Sequence, residues 1–387
     1  MKIGIVCYPT FGGSGVVATE LGIALASKGH EVHFITYSQP VRLDGGFHER
    51  IFYHEVSVSD YPLFDFQPYE LVLSSKLVDV VKHEKLDLLH VHYAIPHASA
   101  AYMAKQILAS QGIHIPYITT LHGTDITLVG RDPSFEPVIT FAINQSDAVT
   151  AVSESLKQDT LKHFAVNREI QVIPNFINLE EYKNKPQDCT KHTYAPLGEK
   201  ILIHVSNFRK VKRVEDVLRV FDKVRKVIPS KLILVGDGPE RNNVEKLCRE
   251  LDTCSDIRSL GKLTNPEQVL AISDLFLLTS ETESFGLAAL EAMAAGIPVI
   301  STNKGGLPEV NIHGKSGYLS DVGDVDDMAA NAIKILGDEK VLANFKAGAY
   351  EQAKKFDIHQ ILPMYEKLYE GLLSSARSKT FSPAKTV

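Results

Sequence analysis

The chain alternates short apolar runs with amphipathic segments from its second residue onward. The first run, Lys2 to Cys7, has the length of a strand, and a helical pattern from about Val16 to Lys28 follows after a turn. Runs that are apolar at every position indicate strands covered on both faces, as in parallel sheets. Repeated units of this kind therefore predict an α/β fold with doubly wound, mostly parallel sheets.

The alternation occurs in two series, and a chain of 387 residues exceeds the usual size of a single core, so two Rossmann-like domains are expected. The first covers residues 1–177, with further strands near 31–36, 51–58, 86–92, 117–121, 148–151 and 170–173, and helices near 70–85, 97–109, 133–145 and 153–163. Periodicity is lost at 178–199, a segment that contains Pro186 and Pro196 and is predicted to be the linker.

The second series covers residues 200–357 and predicts a second doubly wound domain. Its strands are expected near 201–205, 231–235, 257–260, 275–278, 298–301 and 317–319, and its helices near 214–228, 241–251, 266–272, 284–295, 325–336 and 340–355. A last helix is predicted at about 358–374, before a polar tail at 375–387. Ligands bind beyond the carboxyl ends of such strands, so a cleft between facing domains is the expected site.

Charge and cysteine usage narrow the class of partner. The 41 basic and 47 acidic residues give a net charge of −6, and no basic run indicates binding to nucleic acid or to a membrane surface. A small molecule is the expected partner. The four cysteines are scattered, so neither a disulfide framework nor a zinc pattern is expected. The sequence has no signal-peptide pattern and no apolar run of 18 residues, so the expected location is the cytoplasm.

Two glutamates bracket the helix predicted from about Ser284 to Ala295. Glu283 and Glu291 would lie about 12 Å apart along the helix axis and could face one groove. The amides of the first turn have no helical acceptor and suit an anion such as phosphate. These amides belong to Phe285, Gly286 and Leu287. The alternative is a surface helix with two unrelated glutamates.

A glycine-rich turn, Gly12-Gly13-Ser14-Gly15, separates the first strand from the first helix. Glycines in this position let the backbone approach a phosphate or a sugar. The spacing is not that of a dinucleotide fingerprint, and no acidic residue ends the second strand to bind a ribose, which disfavours an NAD-dependent dehydrogenase. A tight structural turn is the alternative.

His122 follows the strand at 117–121 and opens the segment His122-Gly123-Thr124-Asp125. A single histidine in this position is more often a hydrogen-bonded structural group than a catalyst. Asp125 is expected to be a structural partner or a helix N-cap.

A cluster of cations follows the first strand of the second domain. Arg209, Lys210, Lys212 and Arg213 could be solvated loop charges, but fixed cations are also what a departing nucleoside diphosphate needs as its charge develops. The position at the carboxyl end of a strand favours the second interpretation.

The stretch from Glu283 to Glu291 resembles the E-x7-E signature of retaining GT-B glycosyltransferases of family four. The resemblance implies two Rossmann-like domains facing across a cleft, with the last helix packed back on the first domain. It assigns Glu283 to the hydroxyls of the donor sugar, Glu291 to the nucleotide ribose, and His122 to a position facing that sugar. It implies diphosphate stabilisation by Arg209 and Lys212, and further donor contacts from Gly13, Ser14, Gly15, Phe285, Gly286 and Leu287.

Five further blocks are similar to one branch of this family, which transfers N-acetylglucosamine from UDP-N-acetylglucosamine to L-malate in bacillithiol biosynthesis. These blocks are residues 7–15, 90–97, 122–127, 175–177 and 206–213. The resemblance implies acceptor contacts from Tyr93, Thr120, Asn207 and Arg209, and retention with a donor phosphate oxygen taking the acceptor proton. The sequence shows no obvious Asp-x-Asp metal motif, so neither a metal nor a cofactor is expected.

Other functions remain open at this point. A family-four transferase could use an acceptor other than malate. A nucleotide-sugar epimerase on the same fold would consume the donor without any acceptor. A catalytically silent protein would bind UDP but would not release UDP from a donor. A homodimer is also left open.

Overall fold

The computed structural model describes residues 1–10, 12–43, 48–58, 66–128, 130, 132–183 and 188–380. The chain divides into two compact units: Met1–Asn175 together with Ile358–Val387, and Phe176–Asp357. The segment at 178–199 belongs to the second unit, where part of it forms a short helix. None of the helices in the described ranges is long and apolar enough to cross a membrane.

Seven strands form the sheet of the first unit: β1 (Lys2–Val6), β2 (Glu31–Thr36), β3 (Ile51–Glu55), β4 (Leu88–His92), β5 (Tyr117–Leu121), β6 (Ala148–Ala151) and β7 (Ile170–Val172). Their order is β3-β2-β1-β4-β5-β6-β7, and all neighbours are parallel. The winding direction reverses between β1 and β4. A crevice at their carboxyl ends is where a doubly wound sheet binds ligands.

The helices that follow these strands are α1 (Gly13–Ser27), α2 (Tyr69–Glu84), α3 (Ser99–Ser110), α4 (Glu136–Gln145) and α5 (Glu154–His163). One apolar core lies between the sheet and the pair α2 and α3, where Leu77, Val91 and Ala104 are fully or almost fully buried. The strands carry apolar residues on both faces because helices cover both faces.

The second unit has six strands: β8 (Lys200–Val205), β9 (Ser230–Val235), β10 (Ile257–Gly261), β11 (Leu275–Leu278), β12 (Val299–Thr302) and β13 (Gly317–Ser320). Their order is β10-β9-β8-β11-β12-β13, again with parallel neighbours, so the reversal lies between β8 and β11. The predicted α/β class with two doubly wound sheets is confirmed.

The helices of the second unit are α6 (Asp188–Tyr194), α7 (Val214–Arg225), α8 (Arg241–Glu250), α9 (Glu267–Leu270), α10 (Leu287–Ala294), α11 (Leu307–Val310), α12 (Val325–Leu336) and α13 (Glu339–Ala353). The apolar face of α7, with Val217 and Phe221, packs into a core that includes Ile335 of α12.

The last helix, α14 (Ile358–Thr380), is part of the first unit and extends beyond the predicted end at 374. Its Tyr365 and Tyr369 are fully buried, and the Tyr369 hydroxyl lies 2.7 Å from Nδ1 of His90 on β4. Residues 381–387 of the predicted polar tail lie outside the described ranges.

A disulfide joins Cys248 to Cys254, contrary to the expectation of no disulfide. After α8 the chain turns back through Asp252, which has a φ of 51°. This turn brings the two Cα atoms to 5.2 Å, a proximity that the spacing of the cysteines does not reveal.

Candidate active site

The glycine turn of the first unit lies at the carboxyl end of β1. Helix α1 begins at Gly13, earlier than the predicted Val16, so Gly13 and Ser14 belong to the first turn, whose amides have no acceptor within the helix. A Cβ atom on Gly15 would lie 2.5 Å from the carbonyl oxygen of Tyr8 and 2.6 Å from that of Thr10. Glycine is therefore required at 15 by the close approach of the preceding loop.

Tyr93 connects this turn to the loop after β4. Its hydroxyl donates a hydrogen bond to Oγ of Ser14 at 2.7 Å. Burial raises the pKa of Tyr93 to about 12, so near neutral pH the group keeps its proton. Two residues that the sequence analysis assigned to different substrates, Ser14 and Tyr93, are therefore in direct contact.

His122 ends a layer of buried histidines at the carboxyl ends of β4 and β5. The rings of His90 and His92 stack with centroids 4.5 Å apart, and Nδ1 of His92 lies 2.8 Å from Nε2 of His122. The centroid of the Tyr93 ring is 5.2 Å from that of His122. This layer was not predicted, although His90 and His92 are two residues apart in a strand and therefore share one face.

The charge state of His122 limits its chemistry. Burial, with a smaller effect of His97, lowers the pKa of His122 to about 3. The ring is therefore neutral near pH 7 and can exchange hydrogen bonds with a hydroxyl group. It is not an imidazolium general acid in this state.

Asp125 holds the loops around His122 in place. Its carboxylate accepts hydrogen bonds from the backbone amides of Ala94 at 2.9 Å and Gly123 at 3.1 Å. Burial raises its pKa to about 6, against the opposing effect of these bonds. This is the structural role expected from the sequence.

Thr120 is fully buried beneath the histidine layer. Its hydroxyl lies 2.7 Å from Nε2 of His90 and 2.7 Å from the hydroxyl of Thr150. The contact between Thr120 and the acceptor stays a prediction. The complete burial of the Thr120 side chain does not favour such a contact.

In the second unit, the loops after β8 and β11 are joined by an ion pair. Nζ of Lys212 lies 2.6 Å from Oε1 of Glu283, and the Ser280 hydroxyl donates to the same oxygen at 2.7 Å. The hydroxyl of Thr279 donates to the carbonyl of Lys212 at 3.0 Å. A cation and a carboxylate, both mostly buried, are thus fixed where the winding of the sheet reverses.

Helix α10 begins at Leu287, three residues later than the predicted start at Ser284. Gly286 precedes it with a φ of 100°, which favours glycine, and a Cβ atom there would lie 2.6 Å from Cδ2 of Leu307. Among the three predicted amides, therefore, only that of Leu287 belongs to the first turn, whereas Phe285 is buried in the turn before the helix.

The later start also changes the relation between the two glutamates. Glu283, predicted to stand directly before the first turn, lies four residues before Leu287, and a common groove for Glu283 and Glu291 stays a prediction. Glu291 lies in α10 and is half-buried. The turn around Glu283 is held instead by the neighbouring glycine loop, where the amide of Gly306 donates to the carbonyl of Glu283 at 2.8 Å.

Arg209 and Asn207 lie exposed in the loop after β8. Beneath them, Gly238 approaches so closely that a Cβ atom on it would lie 2.0 Å from the carbonyl oxygen of Asn207. Within the described ranges Arg209 forms no ion pair, in contrast to Lys212. Its guanidinium is free to meet an anionic ligand.

Two family models match the chain, one on each half. Residues 11–181 match the model "Glycosyltransferase Family 4", and residues 190–352 match "Glycosyl transferases group 1".

Curated relatives match over most of their length. The chain is 49% identical over 375 residues to N-acetyl-alpha-D-glucosaminyl L-malate synthase of Bacillus anthracis, covering 96% of this chain and 97% of that protein. It is also 27% identical to D-inositol 3-phosphate glycosyltransferase of Thermobispora bispora, covering 89% and 86% of the two chains.

Solved structures share the fold at lower identity. HepE of Anabaena, in complex with UDP and glucose, matches with a TM-score of 0.80 at 21% identity, covering 96% of this chain and 99% of that one. Sucrose-phosphate synthase of Thermosynechococcus elongatus matches with a TM-score of 0.78 at 21% identity, covering 97% and 100%.

Proposed function

The chain belongs to the glycosyltransferases of group 1 and family 4, and we propose that it transfers N-acetylglucosamine from UDP-N-acetylglucosamine to the hydroxyl of L-malate. The observation that carries the proposal is the 49% identity, over nearly the whole of both chains, to a synthase of that name. The two doubly wound sheets and the likeness to solved glycosyltransferases identify the predicted GT-B fold.

The second unit is proposed to bind the donor. Lys212 and Arg209 would face the diphosphate, where fixed cations stabilise the charge that develops as the glycosidic bond breaks. Because both bonds from Lys212 and Ser280 go to Oε1 of Glu283, its Oε2 atom can accept from the hydroxyls of the sugar. Glu291 is assigned to the ribose, and the amide of Leu287, at the positive end of α10, to a phosphate oxygen.

The first unit is proposed to supply contacts to the donor sugar and to the acceptor. A neutral His122 suits a sugar hydroxyl, because Nδ1, the ring nitrogen not bonded to His92, can either donate to a hydroxyl or accept from it. The amides of Gly13 and Ser14 at the start of α1, with the close-packed backbone at Gly15, are assigned to the donor as well. Tyr93 is assigned to malate, and to donate to a malate oxygen its hydroxyl would turn its one proton away from Ser14.

Malate is a dianion at neutral pH and therefore needs a cation and several hydrogen-bond donors. Arg209 provides the cation and Asn207 an amide, both from the exposed loop after β8. Thr120 is assigned a supporting role beneath Tyr93, whose amide donates to the Thr120 carbonyl at 2.9 Å.

The proposed reaction breaks the bond between the anomeric carbon and the diphosphate oxygen and forms one to the malate hydroxyl oxygen on the same face. The proton of that hydroxyl passes to a phosphate oxygen and leaves with UDP. No protein carboxylate is needed as a base in this scheme. Catalysis without a metal or a cofactor and a cytoplasmic location stay predictions, and the homodimer stays open.

UDP release with a panel of acceptors tests the proposal. The enzyme is incubated with UDP-N-acetylglucosamine alone and with L-malate, D-malate, lactate or succinate. The proposal predicts rapid release only with L-malate. Release without any acceptor would indicate an epimerase or a hydrolase, equal rates with lactate would point to a different acceptor, and binding of UDP without turnover would indicate a silent binding protein.

A further inference from the structure

His33, His54 and Glu84 form a cluster in the first unit that the glycosyltransferase site does not use. One side-chain nitrogen of each histidine and one carboxylate oxygen of Glu84 all lie within 4.8 Å of one another. Nδ1 of His33 and Nε2 of His54 are 2.9 Å apart. His33 is fully buried, and the other two side chains are half-buried, so solvent can supply a further ligand.

A carboxylate behind the cluster fixes the state of His33. Nε2 of His33 lies 3.2 Å from Oε1 of Glu31, which also pairs with the ammonium of Lys2. A ring that donates its Nε2 proton to a carboxylate presents a lone pair at Nδ1, toward His54. Metal-bound histidines have the same arrangement, with the second ring nitrogen bonded to a carboxylate that orients the ring.

Glu84 ends helix α2, where the backbone carbonyl groups already create a negative potential. A carboxylate at this end is disfavoured unless cations compensate its charge, and the ammonium of Lys2 already does so in part.

We propose that His33, His54 and Glu84 bind one Zn²⁺ ion, with water as the fourth ligand. Imidazole nitrogens and a carboxylate are ligands that zinc accepts at about 2.0–2.2 Å, which places the ligand atoms of a tetrahedral site about 3.3–3.5 Å apart. The 2.9 Å contact between the rings would open slightly and Glu84 would move inward by about 1 Å, shifts within the reach of side-chain rotation.

The position of the cluster indicates a structural role. His33 is the third residue of β2 and His54 the fourth residue of β3, so the cluster lies alongside these strands near the edge of the sheet, whereas the candidate active site is at the carboxyl ends of the central strands. The ion would link β2, the edge strand β3 and the end of α2. Zinc should therefore stabilise the first unit and leave the transfer reaction unchanged.

Metal titration of the full-length protein tests the site. After treatment with a chelator, Zn²⁺ is titrated in competition with a colorimetric zinc indicator, and Co²⁺ is added separately to record the visible absorption of a tetrahedral complex. The variants are His54→Gln and Glu84→Gln. His83→Gln is the matched control, because His83 is exposed on the same helical turn and pairs with Asp79 outside the cluster.

We expect one zinc ion per chain in the wild type and in His83→Gln, a melting temperature that zinc raises in both, and no competition from Mg²⁺. His54→Gln should weaken zinc binding roughly 100-fold and Glu84→Gln roughly 10-fold, with unchanged circular dichroism without metal. Equal zinc affinity in the wild type and in His54→Gln would overturn the proposal. So would tight zinc binding by the wild type without the tetrahedral cobalt spectrum.

Discussion

The ammonium of Lys212 lies 2.6 Å from Oε1 of Glu283, and this pair joins the loops after β8 and β11. These two strands are neighbours in the sheet, and the winding direction reverses between them. The cation that we assign to the diphosphate and the carboxylate that we assign to the sugar are thus held together by a direct ion pair. Such preorganisation lets a charged group act on a transition state without moving first.

Replacing Lys212 with alanine should lower kcat by roughly 10²-fold or more, because one group aimed at developing charge is typically worth that much. Steady-state kinetics with saturating L-malate measures the effect. Lys210→Ala is the matched control, since Lys210 is exposed in the same loop and should be close to wild type. A Lys212 variant with intact turnover and only a raised KM would make this residue an ordinary loop charge.

Glu291→Ala should weaken the binding of UDP by about 1.5–3 kcal/mol, the scale of hydrogen bonds that involve a charged group. Isothermal titration calorimetry with UDP gives the affinity directly. Glu245→Ala removes an exposed carboxylate from α8 of the same unit and serves as the control. If both variants bind UDP with wild-type affinity, Glu291 is not the ribose ligand.

Asn207 and Arg209 should differ in kinetic signature, although they are two residues apart. Asn207→Ala should raise the KM for L-malate alone, because its amide is assigned to the acceptor only. Arg209→Ala should raise that KM and also lower kcat by roughly 10²-fold, because the guanidinium would serve both the malate and the departing diphosphate. The two-substrate assignment of Arg209 fails if its variant changes the KM for malate without affecting kcat.

The buried histidines should make the first unit sensitive to acid. Burial lowers the pKa of His90 and His122 to about 3 and that of His97 to about 4, whereas an unfolded histidine titrates near 6.5. Above about pH 6.5 these histidines are neutral in both the folded and the unfolded chain and cost no stability. As the pH falls below that value, the free energy of unfolding decreases, because the unfolded chain binds protons that the folded chain does not.

Each such histidine can lower the free energy of unfolding by up to about 1.4 kcal/mol for each unit by which the pH falls. The melting temperature should therefore fall between pH 7 and pH 4, and less steeply in His122→Asn, which lacks one of these groups. An identical pH dependence in this variant and the wild type would show that His122 is not held neutral.

The order of strands and helices could be predicted from the sequence because apolar periodicity reports burial directly. β11 occupies the predicted residues Leu275–Leu278, and α12 the predicted Val325–Leu336. The cations after β8 were also identified correctly as a group at the carboxyl end of a strand. These features depend on local pattern and on the geometry of parallel sheets.

Features set by contacts between distant segments could not be predicted in this way. Helix α10 starts late because Gly286 adopts a positive φ against Leu307, which lies in the next βα unit. Thr120 matched the acceptor positions of the family, yet its hydroxyl is bonded to His90 and Thr150. The pairing of Lys212 with Glu283 likewise depends on how two loops pack, which periodicity does not report.

The most direct test of the central claim is the structure of the product made from UDP-N-acetylglucosamine and L-malate. Fresh reaction mixtures are examined by mass spectrometry and proton NMR, with and without EDTA. The account predicts an N-acetylglucosaminyl malate with an α-linked sugar, formed at the same rate in the presence of the chelator. A β-linked product, or free N-acetylglucosamine and UDP with no malate conjugate, would contradict it.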